Sequence, residues 1–177
     1  MNQAGQTPVS IYTIGYGSRT LSELIVIMRR FEVLYLVDVR SAPYSRYKPE
    51  FTQRALAASL RTAGLTYVFL GDTLGGRPDD PTLYSDGYID YDKVRQTARY
   101  TEGIERLHTA FIQGQRTVLM CSEGKPEMCH RSKLIGATLT GLATLCSTLM
   151  KMTRPLLRMS SATAGKRDSF PSLAIGV

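Results

Sequence analysis

The sequence is short of several things, and each shortage excludes something. No run of 18 or more apolar residues occurs in the 177-residue chain, so no membrane span is expected. The opening stretch MNQAGQTPVS is neither basic nor apolar, so a secretory signal is not expected. Cysteine is scarce. Three residues, an odd count without a C-x2-C pair, exclude a disulfide scaffold and point to thiols in a reducing cytoplasm. Repeats and low-complexity tracts are missing. A hydrophobic fraction of 43% with 21% charged residues excludes collagen-like and wholly disordered classes. What remains is a globular chain of one-domain size, long enough to bury roughly 70% of its unfolded surface.

Positive charge is in excess. Twenty-two basic and 15 acidic residues give a net charge of +7 and a pI near 9.5, which invites a nucleic-acid reading. The distribution tempers it. Residues 151–177 hold five basic residues (Lys151, Arg154, Arg158, Lys166, Arg167) and one acid (Asp168). The tail thus carries +4 and the body +3.

Patterning along the chain alternates between strand and helix. Residues 9–15 read as a strand closed by glycine. Thr20 followed by Glu23 is a capping box, and Leu21, Leu24, Ile25, Met28 and Phe31 then recur at helical spacing. VLYLVDV, residues 33–39, is a continuous apolar run suited to a central parallel strand. Pro49 opens a second helix that Gly64 closes, and LTYVFLG is a third strand. Residues 71–90 read as a long surface loop. A third helix is predicted over roughly 91–113, a fourth strand at TVLMCSE and a fourth helix from the CHR segment. The order β-α-β-α-β-α-β-α predicts a single-domain, three-layer, Rossmann-like α/β/α fold with a mainly parallel sheet of about four strands. The domain is expected over 1–145, with 146–177 an atypical basic tail.

Ligands of open parallel sheets bind beyond the carboxyl ends of the strands. Polar and reactive residues cluster at three such ends: Gly15-Tyr16-Gly17-Ser18; then Asp38, Arg40, Ser41, Tyr44, Ser45 and Arg46; then Cys121, Ser122, Glu123, Cys129, His130 and Arg131. Arg40, Arg46 and Lys48 near one helix entrance, and His130 and Arg131 at another, suit a phosphate-bearing or other anionic ligand. Arg40 could equally pair with Asp38 or Glu123 and lock the loops. Cys121 is a candidate nucleophile if a nearby cation lowers its pKa, or a small buried hydrophobe. Cys121, Cys129 and His130, with Glu123 as a fourth ligand, could instead hold zinc, although the C-x7-C-H spacing is a weak signal and no metal site is assigned. Asp38 is either an acid/base group or an acceptor for loop N–H groups.

TIGYG, DVRSAPYSRYKPEF, LGDTLGGRP and CSEGKPEMCHRSKLIGATL, in this order from about Ile11 to Leu142, resemble the domain-of-unknown-function family 488. The resemblance implies a small cytosolic α/β protein but no settled activity. Its motif positions fall on Asp38, Arg40, Ser41, Pro43, Ser45, Arg46, Pro49 and Phe51. They also fall on Leu74, Gly75, Gly76, Cys121, Glu123, Cys129, His130 and Arg131. Many relatives carry His-Ser where this chain has Tyr16-Gly17. Relatives also continue after the CHR helix with a short strand, a His-Ile pair and acidic residues. Codons available to Cys146–Thr153, read in a shifted frame, give Gln-His-Ile-Asp-Glu-Asp-Asp, which is similar to that ending. The tail is therefore read as frameshifted, a reading that the gene's codons test directly. The sheet is then expected to lack its last strand, and residues after about Leu145 to be disordered.

The resulting expectation is a small cytosolic enzyme acting on a phosphate-bearing or other anionic substrate, a nucleotide or nucleic acid. Catalysis is assigned to Asp38, Cys121, Glu123 and His130. Substrate binding is assigned to Tyr16, Arg40, Ser41, Ser45, Arg46, Gly75, Gly76 and Arg131. The alternatives are a non-catalytic nucleotide or nucleic-acid binding module and a thiol-redox or zinc protein. No motif specifies a cofactor or an oligomeric state, and no membrane partner is expected.

Overall fold

A computed structural model describes residues 11–142 and 146–148 of the chain. Strands β1 (Ile11–Gly15), β2 (Tyr35–Asp38), β3 (Thr66–Phe69) and β6 (Thr117–Cys121) are the four that the patterning predicts. All pair in parallel, in the order β3-β2-β6-β1. Every residue of β2 and β6 is buried, as continuous apolar runs in a doubly covered sheet require.

Helices cover both faces. On one face, Leu24 and Met28 of α1 (Leu21–Arg30) and Leu56 and Leu60 of α2 (Gln53–Thr62) pack with Leu36, Val118 and Met120. On the other, Val37 and Leu119 meet Ile104 and Leu107 of α5 (Ala98–Ile112) and Leu139 of α6 (Ala137–Gly141). The alternation of Leu36 with Val37, and of Val118 with Leu119, is the two-residue period of a strand buried on both sides. The fold is thus the expected three-layer α/β/α arrangement.

The capping box of α1 is present. Thr20 Oγ1 accepts from the Glu23 N–H at 3.2 Å, and Glu23 Oε2 accepts from the Thr20 N–H at 2.8 Å. Three expectations are refined. The loop over 71–90 contains a short helix α3 (Gly71–Leu74) and a hairpin, β4 (Tyr84–Ser85) with β5 (Tyr88–Ile89). The turn between those strands is Asp86-Gly87, both at positive φ (52° and 79°), the conformation an Asp-Gly hairpin favours. The helix predicted over 91–113 is two, α4 (Tyr91–Arg95) and α5. Thr97 interrupts it, because its hydroxyl caps the second helix by accepting from the Tyr100 N–H. The helix after Cys129 begins as a π-helix over Arg131–Gly136 and only then becomes α6.

The last strand corrects an expectation. Cys146–Thr148 forms β7, parallel to β1 at the sheet edge, where the strand was expected to be lost. Three residues in register with Ile11–Thr13 suffice to add it. It lies just on the tail side of the expected boundary at residue 145. The expectation of disorder beyond it concerns residues 149–177, which lie outside the described residues.

Candidate functional site

The strand order places the carboxyl ends of β2, β6 and β1 side by side, with β6 between its two neighbours. The three reactive segments therefore share one edge, as the topology predicts. Beyond it lies a cleft of about 600 Å³. Tyr16, Arg40, Ser41, Cys121, Glu123, Cys129 and His130 all line it. A second cleft of about 570 Å³ runs across α2 and β3, lined by Arg54, Arg61, Tyr67 and small or apolar residues. It is lined by no cysteine, histidine or carboxylate, so the cluster of thiols, imidazole and carboxylate lies at the first.

At the end of β2, Asp38 and Arg40 form a buried pair with side-chain exposures of 0% and 4%. Oδ1 accepts from Arg40 Nε at 2.8 Å and from the Arg40 backbone N–H at 3.1 Å. Oδ2 accepts from Arg40 Nη2 at 2.5 Å and from the Tyr67 hydroxyl at 2.9 Å. Arg40 Nη2 also donates to the Phe51 carbonyl at 2.8 Å. Burial opposes the guanidinium charge, but Asp38 more than compensates and raises the Arg40 pKa. Burial first, then the Asp38 carboxylate, pushes the Tyr67 phenol well above its usual range. With all four acceptor positions of its carboxylate engaged, Asp38 here anchors Arg40. The ion-pair alternative for Arg40 is the geometry adopted, and Arg40 is also among the residues lining the cleft.

At the end of β6, Cys121 and Cys129 are 6% and 3% exposed, and both are free thiols. Their sulfurs and one His130 ring nitrogen lie within 4.8 Å of one another. Cys129 Sγ is 3.7 Å from His130 Nδ1. His130 Nε2 is 3.0 Å from the Val39 carbonyl oxygen. A carbonyl only accepts, so Nε2 carries a proton and donates it to Val39, while Nδ1 is the ring atom on the side of the sulfurs. A hydrogen bond from the Cys129 thiol, seconded by His130, draws the Cys121 pKa down against the opposing effect of burial. The same bond, with burial, pushes the Cys129 thiol up. The two thiols are thus coupled, the pKa being drawn down at Cys121 and pushed up at Cys129. Gly76 makes room for the imidazole, because a Cβ there would fall 2.6 Å from the His130 ring.

Residues 20–138, well over half of the chain, match the family described as domain of unknown function DUF488. The chain belongs to this family. No curated protein and no solved structure matches it. In this DUF488 protein, Tyr16 stands where many relatives are expected to carry histidine. It is 7% exposed, stacks on Phe51 with ring centroids 4.1 Å apart and lies 5.4 Å from the Arg40 guanidinium carbon. It walls the cleft rather than filling it.

The other expected site residues divide into those on the cleft and those that brace it. Ser41 and Gly76 line the cleft. Gly75 packs behind them, since a Cβ there would meet Ser41 Oγ at 2.4 Å. Glu123 is exposed on the rim, with Oε1 accepting from the Lys125 N–H at 2.9 Å. Arg131 is fully buried and donates from Nη1 to the Glu123 carbonyl at 2.6 Å, so it braces the loop after β6 instead of reaching the cleft. Ser45 accepts from the Lys48 N–H at 3.1 Å, and Lys48 Nζ donates to the Arg19 carbonyl at 2.6 Å. Arg46 is exposed, and neither it nor Ser45 lines the cleft.

The sequence reading missed Arg77, Asp79 and Tyr91, which do line it. Arg77 is held there by its backbone N–H donating to Ser41 Oγ at 2.8 Å. Its signal was available: it follows the Gly75-Gly76 pair in a loop long enough to fold back over the strand ends.

Proposed function

We propose that this DUF488 protein is an enzyme acting on a small phosphate-bearing or other anionic substrate held in the cleft at the carboxyl edge of the sheet. The observation that carries this reading is the meeting of two chemistries on one concave surface. Arg77 supplies positive charge beside the Asp38-paired Arg40, and the Cys121–Cys129–His130 cluster supplies a reactive end. Binding alone needs the first and not the second. Ser41 and the backbone around Gly76 supply hydrogen bonds suited to phosphate oxygens. Asp38 acts through Arg40, as a positioning residue. Glu123, on the rim, is placed to exchange a proton with solvent. Nucleotides are the favoured class, because the half-buried Tyr91 and exposed Tyr44 border the arginines and offer faces for a base. A reducing cytoplasm fits the reading, since it keeps both thiols free.

The test is a turnover screen over phosphate esters and nucleotides, with Cys121→Ala and Arg77→Ala beside the parent. Loss of turnover in the first variant and weaker substrate binding in the second are expected. Unchanged activity in both removes this cleft as the site. Salt-sensitive nucleotide binding with no turnover in any protein reduces it to a binding module.

A further inference from the structure

We propose that Cys121, Cys129 and His130 form a metal site of the zinc type, with its fourth position open to the cleft. This rests on the proposed function only for the purpose of the metal; the site itself follows from its own geometry.

Tetrahedral zinc holds thiolate sulfur at about 2.3 Å and imidazole nitrogen at about 2.0–2.1 Å, which sets ligand S···N and S···S separations near 3.6 and 3.8 Å. Cys129 Sγ and His130 Nδ1 are 3.7 Å apart, and the three ligand atoms lie within 4.8 Å of one another. Bringing the longest separation to about 3.8 Å takes up to about 1 Å of side-chain movement, which rotation about the cysteine χ1 angles can supply. The histidine is already prepared. Its Nε2–H donates to the Val39 carbonyl, and metal-bound histidines characteristically place their far N–H on such an acceptor. That bond fixes the tautomer and leaves Nδ1 for the ion.

The donor set is itself diagnostic. Two thiolates with one imidazole select zinc or another soft or borderline ion over magnesium or calcium. Three protein ligands, all lining a cleft, make the open type of site that keeps a position for water or substrate. Glu123 is no member of the set; its carboxylate is committed to the loop N–H of Lys125. An ion at this end would share the cleft with Arg77, so an anionic group reaching both would meet positive charge at each end.

Cobalt(II) titration of the full chain, reduced and freed of metal by chelation, tests the site. One equivalent is expected to bind with a sulfur-to-cobalt charge-transfer band and the intense visible bands of tetrahedral geometry. Zinc should displace it. Cys121→Ser and Cys129→Ser should each weaken cobalt binding by at least about 100-fold, beyond the loss of an outer-shell partner. His130→Gln should also weaken it, with circular dichroism confirming that each variant is folded. Binding without the charge-transfer band, or undiminished in both serine variants, overturns the proposal. So does a chain that takes no cobalt and instead loses two protons to a Cys121–Cys129 disulfide on oxidation. Inorganic phosphate binding is measured in parallel, with Arg77→Ala. If metal fails but Arg77-dependent phosphate binding persists, the cleft reading stands without the ion. If metal binds and no anion does, the ion site stands alone.

Discussion

Replacing Asp38 by asparagine should test the pair that fixes the floor of the cleft. The carboxylate accepts four hydrogen bonds, two of them from the Arg40 side chain at 2.8 and 2.5 Å. Both side chains are almost wholly shielded from solvent. Asparagine keeps the shape but removes the charge. It also turns one acceptor into a donor that points at another donor. Arg40 is then a buried cation with no counter-charge, a situation that costs about 3–5 kcal/mol. That is a large share of a total stability of about 5–15 kcal/mol. In urea denaturation, with a slope of about 2 kcal/mol/M, the midpoint should fall by roughly 2 M. The companion variant Arg40→Met leaves the carboxylate with only the Arg40 N–H and Tyr67 as donors, and should also destabilise. The double variant Asp38→Leu, Arg40→Met removes both charges and should recover much of the loss, because a buried pair exchanged for apolar residues is often near neutral. The Phe51 carbonyl loses its donor in that variant, which limits the recovery. A cost below about 1 kcal/mol for Asp38→Asn, or strict additivity in the cycle, would refute the claim that this pair is held as a unit.

Thr20→Ala should destabilise by about 1 kcal/mol by removing the hydroxyl of the capping box; thermal or urea unfolding reads it, and no change would mean that the cap is redundant. Gly15→Ala places a Cβ where the Glu123 carbonyl already sits, against backbone that cannot swing aside, so loss of soluble folded protein or a drop of more than about 3 kcal/mol is expected. Tyr67 should titrate above the ordinary tyrosine range in an absorbance titration at high pH, and earlier again in Asp38→Asn, because burial and the carboxylate both disfavour phenolate. Its raised folded-state pKa means that its contribution to stability is complete below the unfolded tyrosine value, about pH 10, and is lost as the pH rises beyond it. Stability that stays flat from pH 9 to 11 would contradict this assignment.

The elements that were legible in the sequence are those whose signal is local. Continuous apolar runs gave β2 and β6, and Thr20 with Glu23 marked the start of α1 within a residue. The hairpin was not read, because each strand is two residues long and no period shows in so short a span. Its turn, Asp86-Gly87, was the one available mark. The split at Thr97 was hidden because the polar residue that caps α5 also looks like the exposed face of a longer helix. At the candidate site, the sequence located the edge where these residues gather but not the direction of each side chain. His130 and Arg131 are adjacent, yet successive side chains of a helical segment point in different directions, so His130 lines the cleft while Arg131 turns inward. Arg46 and Lys48 looked like anion ligands by composition; one is exposed off the cleft and the other holds the Arg19 carbonyl.

The residues that turned out to brace the site explain why its geometry can be definite. Gly15 pairs in register with Cys121, and the N–H groups of Tyr16 and Gly17 continue that ladder onto the carbonyls of Cys121 and Ser122. The next carbonyl, that of Glu123, passes where a Gly15 side chain would stand and is caught by the buried Arg131. Three successive carbonyls from the last residue of β6 onward are therefore tied down, two by the residues just after β1 and one by Arg131. The loop between Cys121 and Cys129 thus leaves and returns at fixed points, which holds the backbone from which the two sulfurs project. On the far side, the Val39 carbonyl that accepts from His130 sits between Asp38 and Arg40, which are locked to each other. The ion pair and the thiol–imidazole cluster are thus joined through one residue of backbone. A disturbance of Asp38 should reach the orientation of His130 before it reaches either cysteine. This is the order expected if the pair at the end of β2 serves to position the cluster at the end of β6.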